Sequence, residues 1–167
     1  MIINDLNYWN FYYNKNNKII KESNFAALIK RKILKKKFNI LEVGTGNGRD
    51  AFYFSKFCNS VIAIDQSSTA INENKLKIKK TRITNLSFKK LHVDNILKIK
   101  NKNKINLIYA RFFIHSINLK KENLLLKNLS SFNKSKLSIA LEFRTINDKL
   151  MKKGKKISKY ETYTDHY

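Results

Sequence analysis

Three glycines at alternate positions, Gly44, Gly46 and Gly48, follow an apolar run that ends in Glu42-Val43. Thr45 and Asn47 stand between them, and Arg49 opens the next run. Glycine suits a turn whose backbone takes positive φ or lets a ligand come close. A helix that begins directly behind such a turn presents unpaired N–H groups. These residues together build a cradle for a nucleotide-type ligand. The dinucleotide fingerprint G-x-G-x-x-G would need glycine at position 49, where this chain has Arg49. Asp65 lies seventeen residues beyond Gly48, at the end of a second apolar run, and Gln66 follows it. An acidic residue at that strand end of a doubly wound sheet can accept hydrogen bonds from ribose hydroxyls. The competing reading is a surface aspartate beside the helix start at Ser67 and Ser68.

The arginines carry a second kind of chemistry. Only five of the 35 basic residues are arginine, and three of them, Arg49, Arg111 and Arg144, fall at the expected site. Arginine offers a planar fork for carboxylate or phosphate that lysine cannot copy. Each could instead serve a local carboxylate, as Arg144 would with Glu142 or Asp148. His115 is the internal candidate for a general base; a histidine packed among Phe112, Phe113 and Ile114 is the equal alternative. His166, beside Asp165, is a second catalytic candidate in a substrate lid. His92 reads as a structural residue within a strand. Three histidines and one cysteine make no zinc site, and the carboxylates show no metal-type clustering.

The elements that must position these residues follow from periodicity. Residues 23–37 form an amphipathic helix capped by Ser23 or Asn24. Strands are expected at 38–43, 60–65, 86–93, 105–110 and 137–143, with helices at 49–57, 69–80 and 119–132 and a short helix or loop at 95–104. Strand–helix alternation implies an α/β domain with a parallel, doubly wound sheet and right-handed crossovers. Ligands then bind outside the carboxyl ends of the strands. The glycine loop, Asp65, Asp94, Arg111 and Arg144 all fall on that rim.

Glu42, Gly44, Gly46 and Gly48 resemble motif I of the class I S-adenosylmethionine (SAM) methyltransferases, E/D-x-G-x-G-x-G after a strand. The resemblance implies a Rossmann-like three-layer fold and SAM as cofactor. It implies a cofactor site in which Asp94, with Asn95, holds the adenine end and Arg111 completes the rim. It makes strands four and five neighbours, so that Arg111 and Arg144 can grip one anionic group, of the acceptor or the carboxylate of SAM. Residues 109–115, Tyr-x-Arg-Phe-x-x-His, look like one bacterial subgroup of the family. So do Glu142-Phe143-Arg144, Asp148 and the terminal Thr164, Asp165, His166 and Tyr167. Some members of that subgroup lie with genes for cell-surface polysaccharide synthesis. N-terminal segments in the family often close over the site, which makes residues 1–22, with Tyr8, Trp9, Phe11, Tyr12 and Tyr13, either a flap or an edge cover. Tyr12 is the substrate-side candidate there, and residues 23–167 form the SAM-binding domain.

A chain of 167 residues makes one domain with a core. A single cysteine, Cys58, excludes an intrachain disulfide and fits a reducing compartment. The first residues lack the pattern of a signal peptide, and no window reaches the roughly 20 apolar residues of a membrane span. A soluble, cytoplasmic protein is expected. The net charge of +23 invites a nucleic-acid partner. Lysine is spread through nearly every helix, however, alongside abundant Asn and Ile, which reads as compositional bias. RNA is therefore the less favoured acceptor, behind an anionic small molecule or sugar-type acceptor methylated at oxygen. Only 23 residues follow Arg144, too few for the hairpin that completes a seven-stranded sheet. The exposed fifth-strand edge is expected to be covered by a homodimer partner or by the tail. A non-catalytic SAM-binding protein is the third reading.

Overall fold

The computed structural model describes residues 5–15, 18, 21–33, 38–132, 137–145 and 148. Five parallel strands form one sheet: β1 (Asn39–Val43), β2 (Ser60–Asp65), β3 (Leu86–Lys90), β4 (Leu107–Arg111) and β5 (Ser138–Glu142), in the order β3-β2-β1-β4-β5. Five α-helices accompany them: α1 (Asp5–Lys15), α2 (Asn24–Lys32), α3 (Arg49–Phe54), α4 (Ser68–Lys79) and α5 (Leu119–Leu129). The order runs outward from β1 in both directions, so β1 and β4 flank the switch point where a doubly wound sheet binds its ligand. Among the described residues no helix is long and apolar enough to cross a membrane.

Period-two alternation distributes each strand between two cores. In β4, Leu107 and Tyr109 face one side with Ala26 and Ile29 of α2, Phe54 of α3 and Ile71 of α4. Ile108 and Ala110 face the other side with Leu125 and Leu129 of α5 and Ile96 and Ile99 of the β3–β4 connection. Both faces of the sheet are therefore covered, as a parallel sheet requires. Tyr109 sits at 0% exposure between the rings of Phe25 and Phe54. Three helices start on a capping side chain: the expected Ser23 accepts from Ala26 N, and Ser67 accepts from Ala70 N and Asn118 from Lys121 N.

Several expectations are corrected. β3 ends at Lys90, so His92 is not in a strand; it caps a 3₁₀ turn over Val93–Lys98. The helix after the glycine loop stops at Phe54, and residues 55–57 continue as turns. The N-terminal segment forms a full helix, α1. Tyr8, Trp9, Tyr12 and Tyr13 recur at helical spacing and pack on one another, with ring centroids 5.1–6.3 Å apart. Asn10 fastens α1 to the start of α4, its Oδ1 accepting from Ser67 Oγ at 2.8 Å and from Thr69 N at 3.4 Å. The outer edge of β5 has no strand partner among the described residues. The expected C-terminal features at 151–167, including His166, lie outside the described residues.

Candidate cofactor and acceptor site

The loop after β1 is shaped by bonds from its neighbours. Gly44 N and Thr45 N both donate to Ile64 O of β2, at 2.9 and 3.0 Å. Gly46 has φ +54°, and a Cβ there would stand 2.3 Å from the Tyr13 hydroxyl oxygen. Gly44 has φ +72°, and its Cβ would stand 2.5 Å from Phe113 Cδ2. The glycines are thus demanded by the packing of α1 and of the β4 loop as well as by the turn. From behind, Asn74 of α4, at 0% exposure, donates its Nδ2–H to Gly46 O at 2.8 Å. No sequence signal marked Asn74, because a lone Asn in a lysine-rich helix reads as surface.

Asp65 ends β2 and holds two backbone amides. Its Oδ2 accepts from Gly46 N and its Oδ1 from Ser67 N, both at 2.9 Å. Burial pushes its carboxyl up, and the backbone N–H groups of Ser67, Gly46 and Gln66 oppose the shift. A second buried carboxylate of the site was missed by sequence reasoning. Asp50 is buried on α3 and receives Ser23 N at 2.9 Å, Ser23 Oγ at 2.7 Å and the Tyr109 hydroxyl at 2.7 Å. Arg49 Nε lies 3.3 Å from its Oδ1. Burial and the Asp50 charge push the Tyr109 hydroxyl far above its ordinary range. Glu42 is also buried, and its Oε2, like Thr45 Oγ1, has no hydrogen-bond partner among the described residues.

The opposite wall is built by the ends of β4 and β5. Register pairs Arg111 with Glu142 across these strands, and the two side chains form an ion pair. Arg144 Nη1 lies 3.3 Å from Asp148 Oδ2. Both guanidiniums also sit on one ring: Arg111 Cζ is 4.0 Å and Arg144 Cζ 4.9 Å from the Phe112 centroid. Phe112 has φ +52°, a left-handed conformation rare for a bulky residue. Its N–H donates to Glu142 O at 2.7 Å, which together with the stacked cations holds it there.

His115 lies next to this cluster, its Nδ1 3.5 Å from Arg144 N. Burial, then the Arg144 charge, pull its pKa down to about 4, against the raising effect of Asp148. The ring is therefore neutral at pH 7. With Nδ1 turned to an N–H donor, its own proton belongs on Nε2, so it offers a hydrogen bond more readily than it takes a proton. The His115 ring resonances are expected to titrate with a midpoint near pH 4 by NMR; a midpoint near the unperturbed value of about 6.5 would contradict this environment. The sign matters for stability. A folded pKa below the unfolded one favours the neutral form, so this stability is present above about pH 6.5 and is lost as pH falls toward 4.

These walls enclose a cavity of about 570 Å³, roofed by Tyr8, Trp9, Tyr12 and Tyr13 of α1. Of the residues proposed from sequence, Glu42, Gly44, Thr45, Gly46, Asn47 and Arg49 line it from the loop. Asp65, Gln66, Arg111, His115, Arg144 and Tyr12 line it from elsewhere. Gly48 is turned away toward Asn74 and Phe88. Asp94 does not reach the cavity: it is exposed, and its Oδ2 lies 3.0 Å from His92 Nδ1. Asn95 borders a second cavity of about 480 Å³, with Lys90, Lys98 and Lys121. Beyond β3 it is Leu91, His92 and Val93 that line the main cavity. On α1, Tyr13 is the residue against the glycine loop, one position from the expected Tyr12. Among the described residues no group of three metal-binding side chains occurs.

A family model described as a methyltransferase domain matches residues 34–164. No curated protein matches the chain by sequence. Solved structures match its fold. A SAM-dependent methyltransferase from Aquifex aeolicus is 24% identical with a TM-score of 0.58, over 72% of this chain and 66% of that one. Phosphoethanolamine N-methyltransferase 1 from Haemonchus contortus, in complex with phosphoethanolamine and S-adenosylhomocysteine, is 15% identical with a TM-score of 0.64, over 80% and 30%. The YcgJ protein from Bacillus subtilis is 17% identical with a TM-score of 0.54, over 63% and 44%. The chain thus spans less than two thirds of the length of each of these structures. With the family model covering most of its length and the β3-β2-β1-β4-β5 sheet in place, the chain belongs to the methyltransferase domain family and has its Rossmann-like α/β fold.

Proposed function

We propose that this protein binds SAM between the glycine loop and α1 and transfers its methyl group to a hydroxyl of an anionic small-molecule or sugar-type acceptor held beside Phe112. The residues fit the cofactor. Asp65 ends β2 on the cavity wall, the cavity has room for a nucleoside-sized ligand, and Glu42 Oε2 and Thr45 Oγ1 are buried polar atoms without hydrogen-bond partners among the described residues. Bound SAM supplies an activated methyl group on a sulfonium, so the protein's task is alignment and exclusion of water.

The observation that carries the acceptor assignment is the pair of guanidiniums stacked on one ring at the cavity wall. One ion pair each leaves N–H donors of a five-donor fork for an incoming carboxylate or phosphate. Neutral His115 then orients the acceptor hydroxyl through its ring N–H. Lys121, at the same wall, adds charge. The single thiol, Cys58, is pushed up to about 11 by burial and stays protonated. The sugar-type reading rests on the subgroup resemblance.

Methyl transfer from radiolabelled SAM to a panel of phosphorylated and carboxylated sugars tests this reading. Arg144→Lys is expected to raise KM for the active acceptor by roughly tenfold or more, the loss of one charged hydrogen bond, while SAM affinity stays within twofold. Transfer only to uncharged acceptors would overturn the anionic assignment. The charge of +23 supports RNA as a second reading, and steeply salt-dependent methylation of RNA would establish it instead.

A further inference from the structure

Two buried carboxylates, Glu42 and Asp50, lie in the same part of the site, both 4% exposed. Their surroundings differ sharply. Asp50 receives three protein hydrogen bonds and the Arg49 guanidinium. Among the described residues Glu42 has no such set of donors: its Oε2 has no hydrogen-bond partner, and the Thr45 hydroxyl acts on the carboxyl less strongly than burial does. The groups that act on Glu42 come from every side. Asp50 and Arg49 are on α3, Asp65 ends β2, Tyr109 lies on β4 in register with Glu42, Tyr13 lies on α1, and Thr45 follows in the loop. The nearest of these charges are thus two carboxylates against one guanidinium already committed to Asp50. Where two acids share a buried place, the one without donors takes the proton. Burial first, then the Asp50 charge, push the Glu42 carboxyl well above its usual range; the Thr45 hydroxyl and Arg49 pull less strongly the other way.

Glu42 nevertheless lines the cavity, so a cationic ligand can supply what the protein withholds. We infer that Glu42 carries a proton in the ligand-free protein and surrenders it when the ammonium group of SAM arrives, so that SAM binding releases a proton. The O–H bond of the carboxyl breaks and its proton passes to solvent. The ammonium keeps its own three protons and forms the ion pair. The inference rests on the SAM-binding reading and adds a coupling to it. Its sign is definite. Protons compete with SAM for Glu42, so affinity falls as pH is lowered through the range in which the free protein holds the proton.

Calorimetric titration of the full chain with SAM near pH 6.5, in two buffers of low and high ionisation enthalpy, counts the protons. At this pH the cofactor's own amine, an α-amino group with pKa of about 7.7–8.0, is already charged. Wild type is expected to release a proton on binding SAM, with affinity weakening as pH is lowered. Glu42→Gln, checked for folding by thermal melting, is expected to release none and to bind SAM with an affinity that is flat over the same range. Glu42→Asp is expected to restore the release. SAM binding by wild type without proton release overturns the inference and leaves the cofactor assignment standing. Equal release by wild type and Glu42→Gln also overturns it, by moving the proton to another group. No SAM binding by wild type overturns both readings.

Discussion

Asp65→Ala is expected to weaken SAM binding by at least a hundredfold, with calorimetry showing little or no heat where wild type saturates. Two losses add. The carboxylate accepts the Gly46 and Ser67 backbone amides, each at 2.9 Å, and is itself buried. Leaving buried donors unpaired costs about 1–3 kcal/mol apiece, and the Gly46 amide belongs to the loop whose positive φ shapes the cradle. On its proposed role at the ribose, the loss of Asp65 also costs a charged hydrogen bond, about 1.5–3 kcal/mol. Roughly 3 kcal/mol or more corresponds to over a hundredfold in affinity. Asp65→Asn separates the two losses. Its one carbonyl oxygen can serve one backbone amide, while its NH₂ faces the other donor, so an intermediate affinity is expected. Binding by Asp65→Ala within tenfold of wild type would remove Asp65 from the cofactor site.

The second large effect is on stability. Asp50→Ala strands Ser23 N–H, Ser23 Oγ–H, the Tyr109 hydroxyl and Arg49 around an empty place at the α2–α3–β4 junction. Leaving these buried donors without their charged acceptor costs about 3–5 kcal/mol in all. For a domain of this size each kcal/mol lowers Tm by about 2–4 °C, so a fall of roughly 6–20 °C is expected. Thermal melting and urea titration check it; a loss under about 1 kcal/mol would show that the hub is not holding these elements together. The same substitution removes a negative charge from beside Glu42, whose carboxyl should then ionise more readily.

The parallel sheet was legible because its strands are short apolar runs separated by helical spacing, as at Ser60–Asp65. The glycine loop was legible because its chemistry is local: three glycines within five residues after a strand. What was not legible depends on distant partners. Asp50 reads as an ordinary helix-start aspartate until Ser23, 27 residues before it, and Tyr109, 59 residues after it, are folded onto it. The sign of Arg111 and Arg144 was readable, but their ion pairs with Glu142 and Asp148 and their common seat on Phe112 depend on strand register. Asp94 stood at the expected place in the sequence, yet β3 stops at Lys90 and a 3₁₀ turn directs Asp94 to His92. α1 was missed as a helix because Asn and Lys dilute its aromatic face and its attachment comes from Asn10 reaching Ser67.

That helix carries one more consequence. Trp9 is the only tryptophan in the chain, and it stands in the cavity roof with Tyr8, Tyr12 and Tyr13 around it, its ring 6.0 Å from that of Tyr13. Tyr13 in turn rests on Gly46. The native protein therefore carries its own optical probe: tryptophan emission comes from one indole, one residue contact removed from the glycine loop, and reports on the roof of the cavity without any label.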